Sequence, residues 1–210
     1  FTKPQGPTTW GIALNGVPLD PNTAEYWNND RSSGWNLDLM GQDGRMGVDA
    51  SHAHVQPSGA YHYHATPTGL VDALGGDKGR TLLIGYAADG FPVYSANGHK
   101  DPKDPRSPIV VLRSGYQLKP GNRPDGPGGK HDGRYVADWE WKDGADLDQA
   151  NGRFEVNAEY PQGTYAYHVT PTFPYIPRLF RGTPDASFRK QPGTGGRTRR
   201  PGGPEGPPPR

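Results

Sequence analysis

The sequence predicts an all-β fold, mainly antiparallel: a single sandwich- or barrel-like domain built from two related halves, with few short helices and an extended C-terminal tail. Three observations lead there. Glycine (31) and proline (24) fill about a quarter of the 210 residues while apolar residues reach only 31%, a composition that suits many turns and short strands better than long helices. Short runs rich in β-branched and aromatic residues recur between turn signals. Two sequence blocks occur twice, in the same order.

The repeats organise the domain. "GIALNGVPL" (11–19) matches "GYAADGFPV" (85–93) at an offset of 74, and "GAYHYHATPT" (59–68) matches "GTYAYHVTPT" (163–172) at an offset of 104. The difference between 104 and 74 places 30 additional residues inside the second copy, around "HKDPKDPRSP" and "KPGNRPDGPGGKHDGR". Val48-Asp49 and Leu147-Asp148 precede the two later blocks. An ancient duplication accounts for this order. It gives halves at about 10–72 and 84–176 of a domain spanning 1–182, with 183–210 as the tail. "TLLIGYAA", "PIVVLRS", "RYVADWEW", "RFEVNAEY" and "TYAYHVT" read as strands, and "LNG" and "ADG" as turns. No segment carries three turns of amphipathic helix, and "AEYWNND" gives one turn at most.

Charge and cysteine content set bounds on function. The tail holds six basic residues against two acidic ones, +4, so the net charge of +1 leaves −3 on residues 1–182. No aromatic residues interleave the tail's arginines after Phe188, which argues against nucleic-acid binding. Residues 191–210 contain 12 Gly or Pro, a composition for extended chain that gains order by docking on a neighbouring subunit. Self-association through the tail is the expected partnership. No stretch approaches a membrane span. The chain begins at Phe1, which points to removal of a signal segment and an extracellular, cell-surface or periplasmic location. It has no cysteine, so a bound metal must take nitrogen or oxygen ligands.

Four of the seven histidines fall between His52 and His64. "SHAHV" and "YHYH" flank "QPSGA", which fits a three-residue hairpin loop: Pro57 and Ser58 in a type I turn and Gly59 in the left-handed position. Gln56 then faces Ala60, His54 faces His62, and His52 faces His64. Side chains alternate along a strand, so all four imidazoles share one face while Tyr61 and Tyr63 take the other. His54, His62 and His64, with His52 as a fourth, are the candidate ligands of one copper or zinc ion. The second half differs: Ala166 stands for His62, Arg153 for His54, and only His168 persists, at the place of His64. A purely structural role does not call for histidines in one half alone.

The Y-H-Y-H motif, "LIGYAADGFPVY" and "LDQANGRF…EYPQGTYAYHVTPTFPYIPR" together resemble the YHYH protein family over about residues 10–182. The family is defined by its motif, so the resemblance implies site residues more than a reaction. It implies that His54, in an Ala-His step before the turn, is a family position and that His52 is less typical. Phenylalanine is usual where His168 stands, and cysteine is frequent where Ala150 stands. The second departure removes a thiol without touching the histidines.

Other residues offer narrower readings. Asp89 in "YAADGFPVY" is either an Asp-Gly turn residue or a carboxylate beside the histidines, acting as fourth ligand or general base. Asp49 is a candidate for orienting a ligand imidazole. Asp146, Asp148 and Asn151 have calcium-like oxygen spacing but lack the closing Glu of a full loop. Five tryptophans (Trp10, Trp27, Trp35, Trp139, Trp141) suggest either core packing or a carbohydrate-binding face. There is no G-x-S-x-G elbow, P-loop, dinucleotide-binding glycine pattern or recognisable glutamate pair. The leading expectation is an exported metal-binding protein, with metal-dependent catalysis as one option. The alternative is a self-assembling structural protein with any metal in a closed four-ligand shell.

Overall fold

The computed structural model describes residues 1–4, 8–41, 47–56 and 59–190. In chain order its strands are β1 (Gly11–Ala13), β2 (Pro18–Leu19), β3 (Ala53–Val55), β4 (Tyr61–Tyr63), β5 (Leu83–Ala87) and β6 (Pro92–Tyr94). Then come β7 (Asn97–His99), β8 (Ile109–Val111), β9 (Tyr116–Leu118), β10 (Trp139–Trp141), β11 (Gly152–Glu155) and β12 (Thr164–His168). The described α-helix, α1 (Thr68–Ala73), is 6 residues long, and "AEYWNND" yields one 3-10 turn, Trp27–Asn29. No described helix is long and apolar enough to cross a membrane.

Eight strands form one sheet in the order β11-β12-β6-β5-β1-β2-β4-β3. The β-rich class holds, but the sheet does not close: β3 and β11 end it as separate edges. It is also mixed, since β2 runs parallel to β4 and β6 parallel to β12, while the other pairings are antiparallel. The ribbons β7-β8 and β9-β10 stand apart, in the stretch where the sequence places its additional residues.

The two sides of the sheet have the same topology about the central β1-β5 pair. Gly11 faces Ala87 and Ala13 faces Gly85, residues related by the offset of 74. Both glycines are sterically required. A Cβ on Gly11 would lie 2.7 Å from the Tyr86 carbonyl oxygen, and one on Gly85 2.4 Å from that of Ile12. Further out, Leu19 neighbours Tyr63 on one side and Val93 neighbours Tyr167 on the other.

The core lies against this sheet. Trp10 is fully buried, stacked on Phe180 at 5.9 Å and edge-on to Tyr167 at 5.0 Å. Leu19, Ile84, Val93 and Ile176 fill in around them, with Leu70 and Val71 supplied by α1. Each such aliphatic side chain contributes about 1.5–3 kcal/mol by leaving water. Of the five tryptophans, Trp10 and Trp35 are buried and Trp27, Trp139 and Trp141 half-buried. Residues 183–190 pack on their own chain: Phe188 joins the core margin and its carbonyl accepts from Thr9 N at 3.0 Å. The expected docking of the tail, 183–210, on a neighbour thus does not describe residues 183–190, and residues 191–210 lie outside the described residues.

Candidate metal centre

The hairpin carries the expected register. His54 pairs with His62, Ala53 with Tyr63 and Val55 with Tyr61. Gln56 N donates to Ala60 O at 2.9 Å, Gly59 N donates to Gln56 O at 2.8 Å, and Gly59 has φ 86°. Pro57 and Ser58, the expected type I turn, lie outside the described residues. The odd loop length puts His54 and His62 on one face, and His64 follows on the same face just beyond β4. Its Nε2 lies 2.8 Å from His62 Nε2 and 3.2 Å from His54 Nε2. With metal–nitrogen bonds of about 2.0–2.1 Å, these separations correspond to ligand–metal–ligand angles of roughly 85–105°. The three rings therefore bring their ligand nitrogens within reach of one ion.

The sequence model of the YHYH protein family matches residues 1–182. The chain belongs to the YHYH protein family. No curated protein and no solved structure matches the chain.

Burial fixes the protonation of the YHYH histidines. His62 and His64 are 3% exposed while His54 is half-buried. Desolvation, reinforced by the neighbouring imidazoles, pushes the His64 pKa down to about 2, and desolvation lowers that of His62. Three neutral rings can place at best one shared N–H among nitrogens this close, whereas a cation at their common point engages every lone pair. His62 Nδ1 lies 3.3 Å from Ala60 O, a contact suited to an Nδ1–H donor that leaves Nε2 free. His64 Nδ1 is buried without a partner among the described residues. The YHYH tyrosines turn the other way: Tyr63 accepts from Asn15 Nδ2 at 2.9 Å, and Tyr61 donates to Asp49 at 2.5 Å.

His52 corrects the expected fourth ligand. Its backbone has φ 57°, so strand alternation stops before it, and its Nδ1 lies 2.8 Å from Thr66 O. Among the described residues, the group that could hold an ion consists of His54, His62 and His64. Asp49 does not orient a ligand ring. Its carboxylate caps the turn into β3, accepting from Ser51 N and Ala53 N at 2.8 and 3.1 Å besides Tyr61. Asp89 lies outside the group as well. Its Oδ2 accepts from Tyr167 at 2.6 Å and Gly182 N at 2.9 Å, beside the β5-β6 turn at Gly90, φ 86°.

Each calcium candidate has a partner within the protein. Asp146 pairs with Arg113 at 3.0 Å, Asp148 accepts from Tyr165 at 3.0 Å, and Asn151 Nδ2 donates to His168 O at 2.8 Å. Asp148 and Asn151 instead rebuild the Asp49-His52 turn on the other side of the sheet, with Asn151 at φ 57°.

His168 anchors a different cluster, at the place that His64 takes in the first half. Its Nδ1 lies 2.8 Å from Ser95 O and its Nε2 3.2 Å from Glu155 Oε2, which also accepts from Arg153 Nε at 2.8 Å. Burial alone would raise the Glu155 pKa, but the His168 hydrogen bond and charge, with Arg153, hold it at about 2. Sequence reasoning passed over Glu155, although the alternation Arg153-Phe154-Glu155 puts both charges on one strand face.

These shifts predict acid sensitivity of the metal-free protein. Unfolded His64 takes a proton near 6.5 whereas folded His64 refuses it down to about 2, so the unfolded state binds more protons and stability falls as pH drops below 6.5. Glu155 adds a second loss below its ordinary 4.5, because its folded carboxylate stays ionised to about 2. Each group contributes a slope approaching about 1.4 kcal/mol per pH unit. Urea unfolding between neutral pH and pH about 4 should show the midpoint falling in both windows; a flat profile would contradict this.

Proposed function

We propose that this YHYH protein binds one copper or zinc ion through His54, His62 and His64, leaving a coordination position for water or substrate. The supporting observation is the meeting of three Nε2 atoms, 2.8 and 3.2 Å apart, on a rigid hairpin. Neutral imidazole is the ligand form. Burial holds His62 and His64 in that form, so a metal entering the centre meets little proton competition from them. An all-nitrogen donor set suits both ions, and the general affinity order favours copper. Zinc would bring its bound water to a pKa of about 7 and supply a hydrolytic nucleophile; copper would open redox chemistry or sequestration. The absence of His52 from the cluster favours an open three-ligand centre over a closed structural one.

Calorimetric titration of chelator-stripped protein with Cu²⁺ and with Zn²⁺ tests the reading. One tight equivalent per chain, abolished in a His54→Ala/His62→Ala double variant, is expected. Equal stoichiometric binding by the double variant would end it.

A further inference from the structure

Beside the histidine hairpin lies an open cavity of about 690 Å³, within the size range of small-molecule sites. Four cationic side chains, Lys3, Arg31, Arg178 and Lys190, line it against a single acid, Asp20. Asp20 is already matched by Lys190. Part of the remaining wall is aromatic: Phe173 stacks on Trp139 at 4.8 Å and 5°, and Tyr116 meets Phe173 edge-on at 5.2 Å. The Arg178 guanidinium lies over the Phe173 ring at 5.0 Å.

Arg178 is the anomaly. Its side chain is 12% exposed, and the acceptor it reaches is Asp38 Oδ1, at 3.2 Å. Its Nε and Nη1 are buried without partners among the described residues, as is Asp38 Oδ2. A buried ion pair kept for stability is expected to be fully hydrogen-bonded, since each buried unpaired group forfeits its hydration without replacement. This pair meets at one contact and leaves three atoms unserved. The cation is underused by the fold.

We propose that this cavity binds a small organic anion, a carboxylate with a flat apolar body, and is the substrate pocket of the histidine centre. The carboxylate would be a second anionic partner of the Arg178 guanidinium beside Asp38, while the body lies along the aromatic part of the wall. Gln56 and Gln149, also on the wall, make no side-chain hydrogen bond to another described residue and are free to hold further polar groups.

The cavity adjoins the hairpin through the backbone. Asp20 N donates at 2.9 Å to the carbonyl of Tyr63, the residue between His62 and His64, and Gln56 follows His54 by two positions. Assignment of the cavity as a substrate pocket rests on the metal reading above; anion binding itself does not.

The experiment separates the two. Metal-free protein is titrated with benzoate, benzyl alcohol and acetate by calorimetry. Benzoate should bind at least about tenfold more tightly than either analogue, because only it offers both charge and ring. Arg178→Gln should weaken benzoate about tenfold or more, and the exposed rim variant Arg31→Gln about threefold. Should Arg178→Gln fail to fold, raising salt from about 0.05 to about 0.5 M must still weaken benzoate through screening. No benzoate binding, equal binding of benzyl alcohol, or indifference to both Arg31→Gln and salt overturns the anion pocket. In Co²⁺-loaded protein, saturating benzoate should shift the visible spectrum. A spectrum that does not move overturns the link to the centre while leaving metal binding intact.

Discussion

Replacing His62 by alanine is expected to weaken Cu²⁺ or Zn²⁺ binding on the order of a hundredfold or more, whereas His52→Ala should leave it within about threefold. The contrast follows from geometry. His62 lies on β4 between two anchors, pairing with His54 across the hairpin while its neighbour Tyr63 is held beside Leu19 of β2. Its Nε2 sits 2.8 Å from that of His64. Alanine removes one of three converging donors and leaves two that cannot enclose an ion. His52 shares the His-x-His pattern, yet its ring is held 2.8 Å from Thr66 O, away from the centre. Removing it costs a hydrogen bond and no metal ligand. Competition titrations against a chelator of known affinity measure both variants, and thermal melts of the metal-free forms show whether each remains folded. Folded His62→Ala with parental affinity, or a His52→Ala loss as large as that of His62→Ala, would place the centre elsewhere.

That pair of variants also marks where the sequence is legible. Between Ala53 and Tyr63 the backbone is strand apart from the loop, so side-chain parity and an odd loop suffice to bring His54 opposite His62. Parity fails at His52 because the chain enters β3 through a turn capped by Asp49, with His52 in the left-handed region. A signal for this was present: Asn151, in the equivalent place, is a residue type enriched in left-handed backbone. Read together, the two positions mark a turn where one alone suggests a strand.

Topology was legible only in part, for a related reason. The repeated blocks mark β1-β2 and β5-β6 and correctly pair their strands, but nothing local specifies the parallel contacts of β2 with β4 and β6 with β12. Those rest on register contacts as brief as Leu19 with Tyr63, too short to leave a hydrophobic pattern. Openness of the sheet is equally invisible, since edge strands such as β3 carry the same alternation as interior ones. Asp89 and Arg178 were opaque for another reason. Their partners Tyr167, Gly182 and Asp38 lie 78 to 140 residues away, and no spacing rule reaches that far.

Replacing Arg153 by methionine is expected to destabilise the fold by about 3–5 kcal/mol, lowering the melting temperature by roughly 10 °C for a domain this size. Methionine keeps much of the buried volume and removes the charge. Glu155 is 1% exposed, and without the guanidinium at 2.8 Å the carboxylate loses a charge partner, leaving His168 and the Asn157 amide, each at 3.2 Å. Adding Glu155→Gln to Arg153→Met should recover at least half of the loss, because the buried charge is then gone. The penalty should also shrink as pH falls into the acid range, because the buried Glu155 without Arg153 takes a proton more readily. A small, pH-independent loss with no recovery in the double variant would show that Arg153 acts by packing alone. The expected result has a meaning for the hairpin on the other side of the sheet. Arg153 occupies the place of His54, and Ala166 that of His62, on strands paired in the same way. One half thus carries its own cation, covalently attached and matched by Glu155. On the proposed reading, the other presents three imidazoles and takes its cation from solution.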